Sequence, residues 1–175
     1  KMDKCISTVE SILGNDEKAL IFTQYKEMGD ILCKIISDEC NTNPLFFHGS
    51  LTVPQREDLI TRFQTEEDAK IMVLSLKAGG TGLNLTSATN VIHYDLWWNP
   101  AVEDQATDRT YRIGQDKNVM VHRMITLGTF EEKIDEMIKS CYRGPIFARV
   151  DKISFLPGVS NYFLPQIQKD RFIRI

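Results

Sequence analysis

Apolar and polar positions along this chain alternate between two periods, and the alternation predicts a series of strands and helices. Residues 2–13 repeat apolar side chains at helical spacing, and residues 18–22 form a short, nearly continuous apolar run. Residues 27–40 return to the helical period, with Met28, Ile31, Leu32, Ile35 and Ile36 on one face. A strand is predicted over 44–47. A helix follows to Phe63, opened by the capping-box pair Thr52 and Gln55 with Pro54 in its first turn. Residues 70–76 and 90–94 read as strands, 99–112 as a helix opened by Asn99-Pro100, and 119–125 as a strand. Thr129 and Glu132 make a second capping-box pair, opening a helix to about residue 140. From Cys141 no period is sustained, and three prolines and two glycines interrupt the chain. Residues 1–140 are therefore expected to be one domain, and residues 141–175 an irregular tail of unknown role.

Strands that alternate with helices imply an α/β fold, a parallel sheet with helices on both faces. Ligands of such sheets sit outside the carboxyl ends of the strands. The loops after Phe22, Phe47, Leu76 and Tyr94 are thus expected on one edge. That edge would gather Thr23 and Gln24, His48, Gly49 and Ser50, residues 77–81, and residues 95–99.

Composition narrows the picture. With 175 residues, 42% hydrophobic and 26% charged, the chain reads as globular, and no apolar run approaches a membrane span. The opening Lys1-Met2-Asp3-Lys4 enters an amphipathic helix directly and looks like an excision from a longer chain. Cys5, Cys33, Cys40 and Cys141 lack CxxC spacing and the three histidines stand apart, so reduced thiols and no metal site are expected. The thiols suit the cytoplasm of a bacterium, the favoured location, or the nucleus of a eukaryote. Net charge is −3, but residues 141–175 carry six Lys/Arg against two Asp, and residues 1–140 carry 15 basic against 22 acidic. An acidic body argues against a broad nucleic-acid coating surface, so any such contact is local.

Three features carry candidate chemistry. Ser75-Leu76-Lys77-Ala78-Gly79-Gly80-Thr81-Gly82 follows a strand and holds three glycines within four residues. Successive N–H groups of such a loop cradle anions, although GGxG alone is equally a tight turn. It is not a Walker A loop, because GxxxxGK[ST] occurs nowhere in the chain. Next, Gln105, Arg109 and Arg112 share one side of a helix, flanked by Asp104 and Asp108. Such arginines suit the charge on a transferring phosphoryl group, while the alternative is a solvated face with an Asp108–Arg112 pair. Third, Trp97-Trp98 lies in a short turn, where one ring is expected buried and the other exposed, as an anchor or as a wedge at a nucleic-acid groove.

In order, the glycine loop through Leu85, then Trp98-Asn99-Pro100, then the run from Asp104 to Gln115 resemble motifs V to VI of the Swi/Snf-related ATPases, within helicase superfamily two. Thr23-Gln24 resembles motif IV, His48-Gly49-Ser50 with Arg56 resembles the element after it, and 129–134 resembles the segment after motif VI. The resemblance covers about residues 1–140 and stops where Arg143-Gly144-Pro145 breaks a helix the family continues. It implies a RecA-like second motor lobe whose Arg109 and Arg112 act as arginine fingers, with Gln105 orienting the site. It places Gly80, Gly82 and Asn84 toward ATP. Thr23, Gln24, Gly49, Ser50, Lys77, Gly79 and Trp98 would face double-stranded DNA. It assigns ATP and magnesium mainly to a first lobe of the same polypeptide, which supplies the Walker A lysine and acidic pair missing here. The implied whole is a translocase acting on an unknown DNA-bound protein. A strand-separating helicase is the nearest alternative, but such relatives more often carry Gln-x-x-Gly-Arg, and Asp108 stands in place of that glycine. A degenerate lobe kept for protein binding is the other, and it predicts lost arginines.

Overall fold

A computed structural model describes residues 1–75, 85–97, 106, 119–142 and 171–174. Helix α1 spans Met2–Gly14, strand β1 Ala19–Thr23, helix α2 Lys26–Cys40 and strand β2 Leu45–Phe47. Helix α3 spans Val53–Thr65, followed by β3 at Ile71–Ser75, β4 at Asn90–His93 and β5 at Met120–Ile125. Helix α4 spans Phe130–Tyr142, and β6 is Arg171–Arg174. The sheet order is β2-β3-β1-β4-β5-β6, and every pairing is parallel. This is the parallel-sheet α/β architecture the alternating periods imply.

The central strands are buried along their whole length, which is why they read as apolar runs rather than as alternating ones. Their two faces still separate at period two. Ala19, Ile21, Ile71, Val73 and Ile92 meet Cys5, Val9 and Ile12 of α1 and Leu32 and Ile36 of α2. Leu20, Phe22, Met72, Leu74 and Val91 face the opposite way, against Phe63 of α3 and Ala106. Ile31 was expected on the buried face of α2, yet it is 47% exposed. The buried face is set by Gly29, Leu32 and Ile36 instead, and Gly29 lies so close to the ring of Phe46 that a Cβ there would overlap it.

The ends of the helices follow from local chemistry. The Thr52 backbone N–H donates to Gln55 Oε1 at 2.9 Å, the capping-box bond expected at α3. At the other end of α3, Lys18 Nζ donates to the carbonyls of Phe63 and Glu66, each at 2.6 Å, and the Ser87 hydroxyl also donates to the Phe63 carbonyl at 3.3 Å, so the helix end is capped by side chains. The second box is built differently from the expectation. Glu132 accepts from the Gly128 N–H at 3.0 Å rather than from Thr129, and the Thr129 hydroxyl caps the N–H of Glu131 at 3.3 Å. Gly128 has φ +73°, which lets the turn bring that N–H into reach.

The expectation of an irregular stretch from Cys141 does not hold throughout. Helix α4 runs to Tyr142, and Arg171–Arg174 add a sixth strand, with His122 opposite Arg171 and Ile125 opposite Arg174. An exposed β5 edge offers unpaired backbone groups that a returning segment satisfies, whatever its side-chain pattern.

Candidate functional site

Because the sheet is parallel, the carboxyl ends of β1 to β5 share one edge, and the loops predicted to be functional leave from it. Strands β1 and β4 are neighbours in the sheet. After β1 the chain enters α2, which packs on one face, whereas Ala106, in the segment after β4, packs on the other. Connections that diverge to opposite faces from adjacent strands leave a crevice between them, the usual ligand position in open parallel sheets.

The walls of that crevice are tied together. The β1–β4 ladder ends where the Tyr94 N–H donates to the Phe22 carbonyl at 2.9 Å. Beyond it, the Thr23 hydroxyl donates to Asp95 Oδ2 at 2.6 Å, and the Gln24 N–H donates to the same oxygen at 3.0 Å. Gln24 Nε2 donates to the Leu96 carbonyl at 2.7 Å. The Thr23 hydroxyl also accepts from the Tyr25 N–H at 3.4 Å, where α2 begins. Thr23 is completely buried, so its side chain works inside the lobe; Gln24 is half-buried. Asp95 stood on the expected edge without a role. Its signal was its place directly after the strand's apolar run.

At the tip of β2, Gly49 and Ser50 are exposed, as a contact to a passing ligand requires. Arg56 reaches back from α3 to shape this turn. Its Nη2 donates to the Gly49 carbonyl at 2.8 Å, its Nε to the Leu51 carbonyl at 3.1 Å, and its guanidinium lies 5.8 Å from the Phe47 ring centroid. The His48 ring tilts against Phe46 at 4.8 Å. Burial, aided by the positive charge of Lys26, lowers its pKa, with Asp30 opposing and Arg56 adding to the effect.

Trp97 is half-buried. Lys77, Gly79, Gly80, Gly82, Asn84, Trp98, Gln105, Arg109 and Arg112 lie outside the described residues. Thr23, Gln24, Gly49 and Ser50 are therefore the expected site residues that the structure places, and all four stand on the shared carboxyl edge.

A cavity of about 300 Å³ opens on the opposite, amino edge, lined by Asp16, Glu17, Lys18, Glu67, Lys70, Ser87 and Thr89. Its polar groups are engaged in holding the fold: Lys70 pairs with Asp16, Lys18 caps α3, and the Asn90 amide donates to Glu17 at 2.8 Å.

Residues 2–114 match the family model for the helicase conserved C-terminal domain. The chain is 51% identical over 140 residues to the putative ATP-dependent helicase/translocase YwqA of Bacillus subtilis, covering 80% of this chain and 15% of that protein. A Sulfolobus solfataricus SWI2/SNF2 ATPase core, solved in complex with double-stranded DNA, superposes with TM-score 0.68 at 44% identity, over 87% of this chain and 32% of that one. The C-terminal part of the Fun30 ATPase domain superposes with TM-score 0.72 at 38% identity, over 77% of this chain and 43% of that one. The parallel sheet, the crevice at its carboxyl edge and the ordered motif block thus have one common explanation: the chain belongs to the helicase C-terminal domain family, as the RecA-like C-terminal lobe of a Swi2/Snf2-type ATPase.

Proposed function

We propose that this lobe is one half of an ATP-driven motor that moves along double-stranded DNA and displaces proteins bound to it. The observation that carries the reading is the unbroken sequence run from Gln105 to Gln115, with both arginines present on the helix predicted after β4. Arg109 and Arg112 act as arginine fingers on the transferring phosphoryl group and Gln105 orients the site, because planar guanidinium groups fit the charge that develops there. Gly80, Gly82 and Asn84 approach ATP. Magnesium and most of the phosphate cradle belong to a first lobe that completes the site, so the chemistry in this chain is limited to charge stabilisation and positioning. Gly49, Ser50, Lys77, Gly79 and the backbone at Thr23 and Gln24 follow one DNA strand, and Trp98 sits at the minor groove.

The test separates translocation from strand separation. In the intact protein carrying both lobes, ATP-dependent displacement of a triplex-forming strand is expected without unwinding of a blunt duplex. Trp98→Ala keeps most DNA-stimulated hydrolysis and loses most displacement, since a stacking or wedge contact contributes about 1–3 kcal/mol to grip. Efficient duplex unwinding would favour the helicase alternative, and a proportional loss of hydrolysis and displacement in Trp98→Ala would make Trp98 a structural residue.

A further inference from the structure

Across the crevice, one carboxylate oxygen gathers two donors from the neighbouring strand. Asp95 Oδ2 accepts both the Thr23 hydroxyl and the Gln24 backbone N–H, and the Gln24 amide continues to the Leu96 carbonyl. These bonds begin where the backbone ladder stops, one residue beyond the Tyr94–Phe22 bond. From that point the chain ends of β1 and β4 diverge, and side chains replace the backbone as the tie between them. We infer that Asp95 is a positioning residue that makes the end of β1 and the turn entering Trp97 move as one body. The inference rests on the reading of this lobe as a DNA-tracking half-motor.

The physical grounds are specific to this arrangement. Hydrogen bonds to an ionised acceptor are roughly twice as strong as neutral ones, and here two of them converge on one atom. Thr23 is completely buried, so competition from water for its hydroxyl is low. The Thr23 oxygen also receives the Tyr25 N–H, so the clamp extends to the first residue before α2. A turn held only by its own backbone would absorb a displacement of the following segment. A turn fastened at Asp95 and again at Leu96 passes that displacement to Thr23, Gln24 and the start of α2. Asp95 touches neither the phosphoryl group nor DNA in this account. It fixes the spacing between the segment after β1 and the segment after β4, and both must grip DNA in register.

The test uses the intact motor with both lobes, duplex DNA as the probe and three variants, Asp95→Ala, Asp95→Asn and Thr23→Val. Two quantities separate positioning from mere stability: the DNA concentration that half-saturates ATP hydrolysis, and the base pairs travelled per ATP. Asp95→Ala is expected to raise the half-saturating DNA concentration by about tenfold, the scale of losing one to two buried hydrogen bonds. Distance per ATP should drop, while turnover at saturating DNA stays within about twofold. Asp95→Asn should recover much of the loss, because its single amide oxygen still accepts both donors. Thr23→Val should fall between them. Wild-type values of both quantities in Asp95→Ala, with only a lower melting temperature, would overturn the inference. If Asp95→Ala does not fold, wild-type values in both Asp95→Asn and Thr23→Val overturn it equally. A wild-type motor without any DNA stimulation would instead overturn the functional reading, and the inference with it.

Discussion

His93 lies on β4 completely buried, stacked on Phe22 at 5.6 Å between centroids and paired in register with Arg123. Burial, and secondarily the positive charge of Arg123, push its imidazole down to about 3 from an ordinary 6.5. The native state therefore keeps His93 neutral where the unfolded chain takes up a proton. Stability is unaffected above the unfolded value and is lost as pH falls below it, by about 1.4 kcal/mol per unit down toward the native value. Between pH 7 and 5 this single group should cost roughly 2 kcal/mol. Denaturant titrations of wild type and His93→Gln at both pH values check it, and the variant should lose much less stability on acidification. Equal losses would show that other groups set the acid limit. Arg123 itself is held by Asp135 of α4 at 3.1 Å, with the Asp135 side chain 1% exposed. Breaking one side of such a pair leaves a buried charge, so the pair fastens α4 to the sheet even though its net stabilisation is small.

At the scale of elements, the segment between β4 and β5 carries the proposed chemistry, and the element's shape decides how its residues act together. Arg109 and Arg112 lie three positions apart on one predicted helix and serve one transition state, so their effects should not add. In the intact motor, Arg109→Ala or Arg112→Ala should each lower ATP turnover by roughly 10³-fold, and the double variant by little more. Lysine should not rescue, because the planar fork is lost. Steady-state turnover at saturating DNA measures this. Near-normal turnover in Arg112→Ala would favour the plain Asp108–Arg112 surface pair. What was legible in the sequence follows a physical rule. Strands β1, β3 and β4 were visible because a parallel strand buried on both faces is a continuous apolar run, and α3 because Thr52, Pro54 and Gln55 write its start locally. Gln24 was visible as an edge residue, but its bond to Leu96 was not, because 72 positions separate the partners and only the sheet order brings them together. The bond of Lys18 to the end of α3, across 45 positions, was hidden for the same kind of reason, since it depends on how distant elements pack. Strand β6 left no trace, since four residues at a sheet edge need backbone partners rather than a pattern.

For the whole molecule, the arrangement is asymmetric in a way that suits one half of a cleft enzyme. The charged groups around the cavity on the amino edge, Asp16, Lys18 and Lys70, are engaged in an ion pair and a helix cap. The carboxyl edge instead presents Gly49, Ser50 and the clamped crevice, and in sequence the glycine loop follows β3 and the arginine-bearing segment follows β4. The chain lacks a phosphate-cradling Walker A sequence, so the account requires the nucleotide to be held from across the cleft. The most direct test is ATP turnover by the 175-residue chain, alone and then joined to the first lobe of its own polypeptide, each with saturating duplex DNA. The account predicts turnover indistinguishable from buffer for the chain alone and DNA-stimulated turnover once the first lobe is present. Steady hydrolysis by the chain alone would contradict it.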